Sequence, residues 1–374
     1  MSQLAPSIIE RLKELGLRLI DQRNSRILVP ALGKESGFWF GGGNLIQDQD
    51  GTILACGRFR NPGDSRTGTG AGERGLEFSI FSSSSPDSKF QKVLSFSKND
   101  LSKNEEIVSI EGASLLPSET DHSGWELFIS TEKKASYPKP LINFQKPGTG
   151  VWSIDRIKGK DGYDSLSPDT IETILSSAKG TTLHIKDPVA FRINPNATEL
   201  VYCHHPFSWA SSNTGLNRQQ RTSENFELIS EDVLPRGNSW DVACSRLTER
   251  LPIPKIGPFS DIPAISLYFY DGAECLRPLE QNPKAAKRPR GYSCEEIGGL
   301  AWGWDHEFPK ISKISVDFPL FLSPHSTGCS RYVSAIFLDD GSLLGTWQQA
   351  QADGSQPLVT NHLSKSEIVR MLGA

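Results

Sequence analysis

Short apolar segments alternate with polar turns along most of the chain. Residues 44–59 (NLIQDQDGTILACGRF) and 334–348 (SAIFLDDGSLLGTWQ) share one order: an apolar strand, an Asp/Gly turn and a second apolar strand. That order is typical of a β-hairpin. Residues 113–130, 189–205 and 264–277 repeat it with polar turns of their own. The pattern therefore predicts five related hairpins.

The spacing of these hairpins predicts how they are arranged. Their turns are about 70 residues apart, which is enough chain for one four-stranded sheet and its loops. Residues 76–96 supply two more strands for the first sheet, and residues 239–255 complete the third. Five such sheets predict an all-β fold, a five-bladed β-propeller with a few peripheral helices. The turn centres fall near Asp50, Asp121, Asn196, Asp271 and Asp340.

Helical patterns occur in three places outside the hairpins. Residues 1–24 carry apolar side chains at helical spacing, and residues 167–180 begin with a Ser-Pro cap and end at a glycine. Residues 364–372 begin with a Ser/Glu capping box. These patterns predict three helices on the outside of the propeller. The predicted organisation is an N-terminal helical extension (1–30), a propeller (31–362) and a C-terminal helix (363–374).

Composition narrows the class of protein. The 374 residues are 37% hydrophobic and carry a formal net charge of -4, values that are typical of a soluble globular protein. A net negative charge makes nucleic acid an unfavourable partner. The first residues lack the basic segment and apolar core of a signal peptide, so we expect a cytoplasmic protein without a membrane partner. The six cysteines are dispersed without a CxxC pair, which predicts no disulfide scaffold, no metal site and no cofactor.

The start of each innermost strand is where we expect a functional site. In a propeller the innermost strands run along the central channel, so residues at one end of these strands surround a single funnel. Four of the five blades place a charged residue at this level. Counting back about ten residues from each turn gives Phe40 or Gly41, then Glu111, Asp187, Asp261 and Arg331.

The three carboxylates of this set, Glu111, Asp187 and Asp261, are candidate catalytic residues. Hydrolysis of a glycosidic bond uses one protonated carboxylic acid and one ionised carboxylate, and crowding in a funnel separates their pKa values. Pro188 keeps the backbone of Asp187 extended and thereby aims its carboxylate. The alternative is that each acid caps a strand by accepting hydrogen bonds from a neighbouring backbone.

Polar and aromatic residues near the same strands are candidates for binding a substrate. Arg58 and Arg60 open an arginine- and glycine-rich loop (57–77), and their fork-shaped donors suit an anionic or hydroxylated ligand. Aromatic rings beside acids suit stacking on sugar rings, although the tryptophans could instead fill the space between blades. The basic segment 282–291 is interpreted as a solvent-exposed loop. The complete set of substrate-binding candidates is Arg331, Arg58, Arg60, Asn44, His204, His205, Glu295 and Trp39.

The Lys-Asp-Pro sequence at 186–188 gives the chain a resemblance to known enzymes. A five-bladed propeller with an Asp-Pro pair at its third innermost strand resembles the furanosidase-type glycoside hydrolases of the arabinanase/xylosidase and invertase/levanase clans. The resemblance implies that Asp187 stabilises the transition state or tunes the pKa of the catalytic acid. It also implies a catalytic Asp in the first innermost strand, where the sequence FWFGGGNLI has Asn44 instead.

Two functions follow from these observations. The first hypothesis is a glycoside hydrolase, or a related carbohydrate-active enzyme, in which Asp187 and either Glu111 or Asp261 form the acid/base pair. Arg331 and Arg58 then orient a carbohydrate substrate, neutral or anionic. The second hypothesis is a catalytically silent propeller that binds a glycan or a protein through the same funnel. The aligned carboxylates favour the hydrolase, and the missing Asp of the first blade favours the silent propeller.

Overall fold

The computed structural model of the chain describes residues 4–62, 74–117, 124–220, 225–275 and 295–373. Within these ranges, five antiparallel sheets form a five-bladed β-propeller. Each sheet has four strand positions from the channel to the rim, and the innermost strand of the first sheet is broken into two pieces. The predicted all-β propeller is therefore confirmed.

The elements follow one another blade by blade. Helix α1 (Pro6–Leu19) and strand β1 (Arg26–Val29) come first. Blade 1 contains β2 (Trp39–Gly41), β3 (Leu45–Gln47), β4 (Ile53–Arg60), β5 (Glu77–Ser83) and β6 (Gln91–Ser97), followed by the short helix α2 (Lys98–Leu101). Blade 2 contains β7 (Ile107–Pro117), β8 (Trp125–Lys133), β9 (Val151–Gly159) and β10 (Glu172–Leu175). Blade 3 contains β11 (His184–Phe191), β12 (Ala197–His205), β13 (Asn213–Gln220) and β14 (Glu227–Ser230). Blade 4 contains β15 (Cys244–Pro252), β16 (Ile265–Ala273), β17 (Ile297–Trp304) and β18 (Ser312–Lys313). Blade 5 contains β19 (Ser330–Phe337), β20 (Leu343–Gln349) and β21 (Leu358–Leu363). Helix α3 (Lys365–Gly373) follows blade 5.

Strand β1 is the outermost strand of blade 5. It pairs antiparallel with β21, with Ile27 opposite Val359, so strands from both ends of the chain share one sheet. Its four residues lie in the segment assigned above to the N-terminal extension. Helix α1 packs its apolar side chains into the same core cluster as residues of blades 4 and 5 and of α3. No helix of the described residues is long and apolar enough to cross a membrane.

The first and last predicted helices are confirmed, and the middle one is wrong. Ser364 and Glu367 form the predicted capping box at the start of α3. Residues 167–180 instead form a short 3₁₀ turn (Pro168–Thr170) and the strand β10. Tertiary pairing outweighs the local helical signal there, because Glu172 of β10 accepts hydrogen bonds from Arg156 of β9 at 2.8 and 2.9 Å.

The register predicted for blade 4 is wrong. Residues 264–277 do not form a hairpin, because Asp271 and Gly272 lie inside the continuous strand β16. Residues 239–255, assigned above to blade 3, contain β15, the innermost strand of blade 4. Asp261 therefore lies exposed in the loop between β15 and β16. It does not start an innermost strand, and Arg246 is the charged residue near the start of β15.

Four innermost strands contain a register shift at the same level. The shifts lie between Ile110 and Ala113, Lys186 and Val189, Leu247 and Glu249, and Arg331 and Ser334. In blade 1 the strand is interrupted between β2 and β3. A β-bulge adds a residue and changes the direction of the neighbouring side chains. These irregularities place Glu111, Asp187 and Tyr332 inside the channel wall.

Candidate active site at the charged end of the channel

Charged side chains from all five blades converge where the innermost strands begin. We call this region the charged end of the channel. Its members are mostly buried, and they include both acids and bases. The charged end comprises Arg58, Glu111, Lys186, Asp187, Arg246, Asp271, Glu296, Arg331 and Tyr332.

Arg246 links three acids of the charged end. Its Nη1 lies 2.9 Å from Asp187 Oδ2 and 3.0 Å from Glu296 Oε1, and its Nη2 lies 2.7 Å from Asp271 Oδ2. Burial raises the pKa of Glu296, but Arg246 and Arg331 outweigh burial and hold it well below its ordinary value. Asp271 is fully buried, and burial raises its pKa to about 6.

Asp187 is fixed in position on every side. Its Oδ1 accepts hydrogen bonds from the Gly112 amide at 3.0 Å and the Tyr332 hydroxyl at 3.3 Å. Its backbone has φ 56°, and its own amide donates to Ser130 Oγ at 2.7 Å. Burial raises its pKa, but Lys186 and Arg246 outweigh burial and keep the pKa below its ordinary value. The carboxylate is therefore held in place and ionised, but the extended backbone predicted from Pro188 is wrong, because Asp187 has a left-handed conformation fixed by its hydrogen bonds.

Tyr332 lies among three guanidinium groups. The Cζ atoms of Arg246, Arg331 and Arg58 lie 4.2, 5.3 and 5.6 Å from the centre of its ring. Its backbone has φ 53°, and its amide donates to Asp271 Oδ2 at 3.1 Å. Such cation–π contacts hold the arginines around the ring. Tyr332 thus joins blade 5 to the acids of blades 3 and 4.

Glu111 completes the charged end from blade 2. Arg58 Nε donates to its Oε2 at 3.1 Å, and Arg58 Nη1 donates to the carbonyl oxygen of Gly41 at 3.2 Å. Burial raises the pKa of Glu111, but Arg58 and Lys186 hold it well below its ordinary value. Glu296 makes a comparable ion pair with Arg331. Each of these carboxylates therefore has a guanidinium partner.

Two further arginines lie beside the charged end. The charged end itself contains four basic side chains and four carboxylates, and Arg60 and Arg74 lie next to it together with the buried Glu132, whose pKa is raised by burial. The pKa of Arg60 is lowered by burial to about 9, which still leaves it protonated at neutral pH. Several guanidinium groups close together suit an anionic ligand. The basic groups are Arg58, Arg60, Arg74, Lys186, Arg246 and Arg331.

Two half-buried tryptophans stand beside the charged end. Trp39 stacks with Arg60 and Arg331, whose Cζ atoms lie 3.7 and 4.4 Å from its ring centre. Trp209 has φ 56° and stacks on His184 with ring centres 4.2 Å apart. Lys186 Nζ lies 5.8 Å from the Trp209 ring. Aromatic surfaces beside charged groups suit the apolar faces of sugar rings.

The two histidines of the sequence pair point to different places. His205 packs against Trp209 with ring centres 4.7 Å apart, and burial together with Lys186 holds its pKa well below the ordinary value. A neutral His205 cannot act as a general acid in the way that a protonated imidazolium does. His204 Nε2 donates to the Glu231 carbonyl oxygen at 2.8 Å, which places it away from the charged end.

Blade 1 supplies no carboxylate at this level for a steric reason. A Cβ on Gly43 would lie 2.1 Å from the carbonyl oxygen of Cys56, and Gly42 has φ +74°. Asn44 follows deeper in the channel, where its amide makes two hydrogen bonds of 2.8 and 2.9 Å with the backbone of Leu115. Asn44 therefore joins blades 1 and 2 and does not replace the catalytic Asp that the resemblance implies.

The structure brings most of the predicted site residues together. Glu111, Asp187, Arg58 and Arg331 lie in the charged end, and Arg60 and Trp39 lie next to it. Glu295 is half-buried, and its neighbour Glu296 makes the ion pairs. Asp261, His204 and Asn44 lie elsewhere. Residues 63–73 of the arginine-rich loop and residues 282–291 of the basic segment lie outside the described residues.

Sequence reasoning missed Lys186, Arg246, Asp271 and Tyr332, and of the neighbouring acids Glu295 and Glu296 it selected Glu295. Correct assignment of residues 244–252 as an innermost strand would have found Arg246, because it follows the strand start as Asp187 and Arg331 do. No sequence signal separates Tyr332 from other buried tyrosines. In the described residues, no group of three or more His, Cys, Asp or Glu side chains is arranged to hold a metal ion.

Comparison with known proteins supports the fold. No protein-family profile and no curated protein matches the chain. A solved structure of a glycoside hydrolase superposes with a TM-score of 0.61 at 11% identity, covering 96% of each chain. A thermostable family-43 glycoside hydrolase gives 0.53 at 11% identity, covering 86% of this chain and 88% of that one. An endo-arabinase from Bacteroides thetaiotaomicron gives 0.52 at 10% identity, covering 91% and 97%.

These similarities define the class of fold. The chain is a five-bladed β-propeller of the kind found in family-43 glycoside hydrolases and an endo-arabinase. The resemblance predicted from the Asp-Pro sequence is thereby confirmed at the level of the fold. Because a fold can carry unrelated activities, the function rests on the chemistry of the charged end.

Proposed function

We propose that the protein is a glycoside hydrolase that binds an anionic carbohydrate at the charged end of the channel. One observation carries the proposal. Of the four non-glycine residues with left-handed backbone among the described residues, three, Asp187, Trp209 and Tyr332, lie in or beside this region. Such conformations cost about 1–3 kcal/mol each and concentrate at functional sites. Asp187 and Tyr332 are also hydrogen-bonded to each other.

The cluster of guanidinium groups supports an anionic substrate. The guanidinium groups of Arg331 and Arg246 lie beside Glu296, whose side chain is 16% exposed to solvent. Guanidinium groups bind carboxylates with two parallel hydrogen bonds. A uronic acid or another acidic sugar would bring both the carboxylate and the hydroxyl groups that such a site recognises. Trp39 offers the adjacent ring for stacking.

The proposed chemistry uses ionised and protonated carboxyl groups. The transition state of glycoside hydrolysis resembles an oxocarbenium ion, and the ionised Asp187 would stabilise its positive charge. An acidic substrate would compete with Glu296 for Arg331 and Arg246. Loss of these ion pairs would raise the pKa of Glu296, so that Glu296 could protonate the leaving oxygen as the glycosidic bond breaks. Water would then add to the anomeric carbon, and its proton would return to the Glu296 carboxylate. Substrate binding would thus create the general acid.

The test is release of reducing sugar from neutral and uronate aryl-glycosides and oligosaccharides. The parent, Asp187→Asn and Asp261→Asn are compared at equal folded concentration. We expect Asp187→Asn to lose at least about a hundredfold in rate. Asp261→Asn, the same change in an exposed loop, should keep the parent rate. Equal rates in the parent and Asp187→Asn would contradict the proposal.

A second candidate function is carbohydrate binding without hydrolysis. It is favoured by Gly42 and Gly43, which leave blade 1 without a carboxylate, and by the ion pairs of Asp187, Glu111 and Glu296. A protein of this kind would hydrolyse nothing in the panel. It would still bind an acidic oligosaccharide, and the binding would weaken when Arg331 is replaced.

A further inference from the structure

We propose that the opposite end of the channel holds a second ligand site, for a small organic cation with an apolar body. The five innermost strands end around a cavity of about 470 Å³. This volume lies within the range of small-molecule sites, about 300–1,000 Å³. Most lining residues are apolar, among them Leu45, Leu116, Phe191, Leu251 and Ile336 from the five blades, and the lining also contains the carboxylates of Glu249 and Asp339. We call this region the apolar end.

The charges of the apolar end select a cation. The cavity also touches Arg192 and Arg250, and both have acidic partners. Arg250 Nη2 lies 3.0 Å from Asp305 Oδ2, and Arg192 Nη2 lies 3.8 Å from Glu126 Oε2. Glu249 has no basic side-chain group within 4.0 Å among the described residues. Asp339, the other acid of the lining, is exposed to solvent, so the less exposed Glu249 carries the charge that a ligand would balance.

Three hydrogen bonds fix the carboxyl group of Glu249 in the cavity wall. Its Oε2 accepts from Ser334 Oγ at 2.6 Å and the Ala335 amide at 3.3 Å, and its Oε1 accepts from the Arg250 amide at 2.8 Å. Burial nevertheless raises its pKa to about 7. A bound positive charge would offset the cost of ionising this group.

The ligand chemistry follows from the lining. A calcium or magnesium ion requires about six oxygen ligands, whereas this lining offers two carboxylates, Glu249 and Asp339, on a surface of mostly apolar residues. An alkyl- or arylammonium ion satisfies both features, because its charge pairs with Glu249 and its hydrocarbon part covers apolar surface. The inference is independent of the proposed hydrolase activity at the charged end.

The test is calorimetric titration of the whole protein with 2-phenylethylammonium chloride and with 2-phenylethanol near pH 8, where Glu249 is ionised. We expect the ammonium ion to bind the parent and to bind Glu249→Gln at least about tenfold more weakly, equivalent to about 1.4 kcal/mol. The neutral alcohol should bind both proteins equally and weakly. Glu35→Gln, the same change at an exposed position, should behave as the parent.

A second variant guards against a fold defect in Glu249→Gln. Leu116 is half-buried and lines the cavity from blade 2, so Leu116→Trp should fill part of the volume and abolish binding without changing a charge. The proposal is overturned if the parent does not bind the ammonium ion. It is also overturned if Glu249→Gln, or Leu116→Trp, binds the ammonium ion as tightly as the parent.

Discussion

The two ends of the channel are built from the same five innermost strands but use charge in opposite ways. At the charged end, Glu111, Asp187 and Glu296 each pair with a guanidinium group, and their pKa values are lowered. At the apolar end, Glu249 pairs with no base among the described residues, and its pKa is raised. The difference teaches that burial alone does not decide whether a carboxylate is ionised. Whether the carboxylate is ionised also depends on the number of cationic groups beside it.

The strand irregularities separate these two environments. Each innermost strand changes register or breaks at the middle of the channel. Glu111, Asp187, Arg246 and Arg331 lie on one side of this level, and apolar residues predominate on the other. One strand can therefore present ionic chemistry at one end of the propeller and an apolar surface at the other.

The largest expected effect comes from removing the central guanidinium. Arg246→Met leaves Asp187, Asp271 and Glu296 with fewer compensating charges, and breaking buried ion pairs typically costs about 3–5 kcal/mol. Arg250→Met at the apolar end breaks one pair with Asp305 and should cost about half as much. Urea denaturation measures both losses of unfolding free energy. Equal losses would show that the charged end is no more tightly coupled than the apolar end.

A smaller effect should appear in the pH dependence of stability. The folded pKa of Glu249, about 7, exceeds its ordinary value of 4.5, so the folded state holds this proton more tightly than the unfolded chain. The unfolding free energy should therefore fall as the pH rises from about 4.5 to about 7, by up to about 3 kcal/mol. Glu249→Gln should remove the part of this fall that Glu249 contributes and leave the part due to Asp271, whose pKa is raised to about 6. Denaturation of both proteins at about pH 5 and pH 8 checks it, and an unchanged slope in the variant would refute the assignment.

The carboxylates of the charged end should change the unfolding free energy in the opposite direction, because they stabilise the fold less as the pH falls. The lowered pKa values of Glu111, Asp187 and Glu296 stabilise the folded state above the unfolded pKa values, and this stability is lost as the pH falls below about 4. Glu249→Gln should not change this loss of unfolding free energy below about pH 4. If the loss occurred at a different pH in Glu249→Gln, the two ends would be coupled.

The smallest expected effect tests how Asp187 is positioned. A Cβ on Gly112 would lie 2.6 Å from Asp187 Oδ1 and 2.9 Å from its Cα, so Gly112→Ala forces the backbone of Asp187 to move. We expect a loss of about 2 kcal/mol in unfolding free energy, in the range for overpacked sites. Gly180→Ala meets only the end of the Leu141 side chain at 3.2 Å and should cost less. A loss as large in Gly180→Ala would mean that the cost is not specific to Asp187.

Hairpin periodicity was sufficient to predict the propeller, because apolar alternation and turn residues are local properties of the chain. It failed at blade 4, where Asp271 and Gly272 look like a turn. In the fold, Arg246 and the Tyr332 amide satisfy the Asp271 carboxylate inside a strand. These partners are 25 and 61 residues away, so no local pattern reveals them.

Only part of the candidate site was predicted, because a site residue could be found only where its strand was assigned correctly. Asp187 and Glu111 were found because they lie at strand starts that the hairpins define. Arg246 was missed because its strand was assigned to the wrong blade, and Asp261 was chosen in its place. Glu249 gave no sequence signal, since its raised pKa comes from apolar residues of other blades.

The most direct test of the central claim is calorimetric titration with a galacturonate trisaccharide. The parent, Arg331→Gln at the charged end and Arg192→Gln at the apolar end are compared. If the charged end binds an acidic carbohydrate, Arg331→Gln will bind at least about tenfold more weakly, and Arg192→Gln will bind as the parent does. Loss of binding in Arg192→Gln with full binding in Arg331→Gln, or no binding in the parent, would contradict the account.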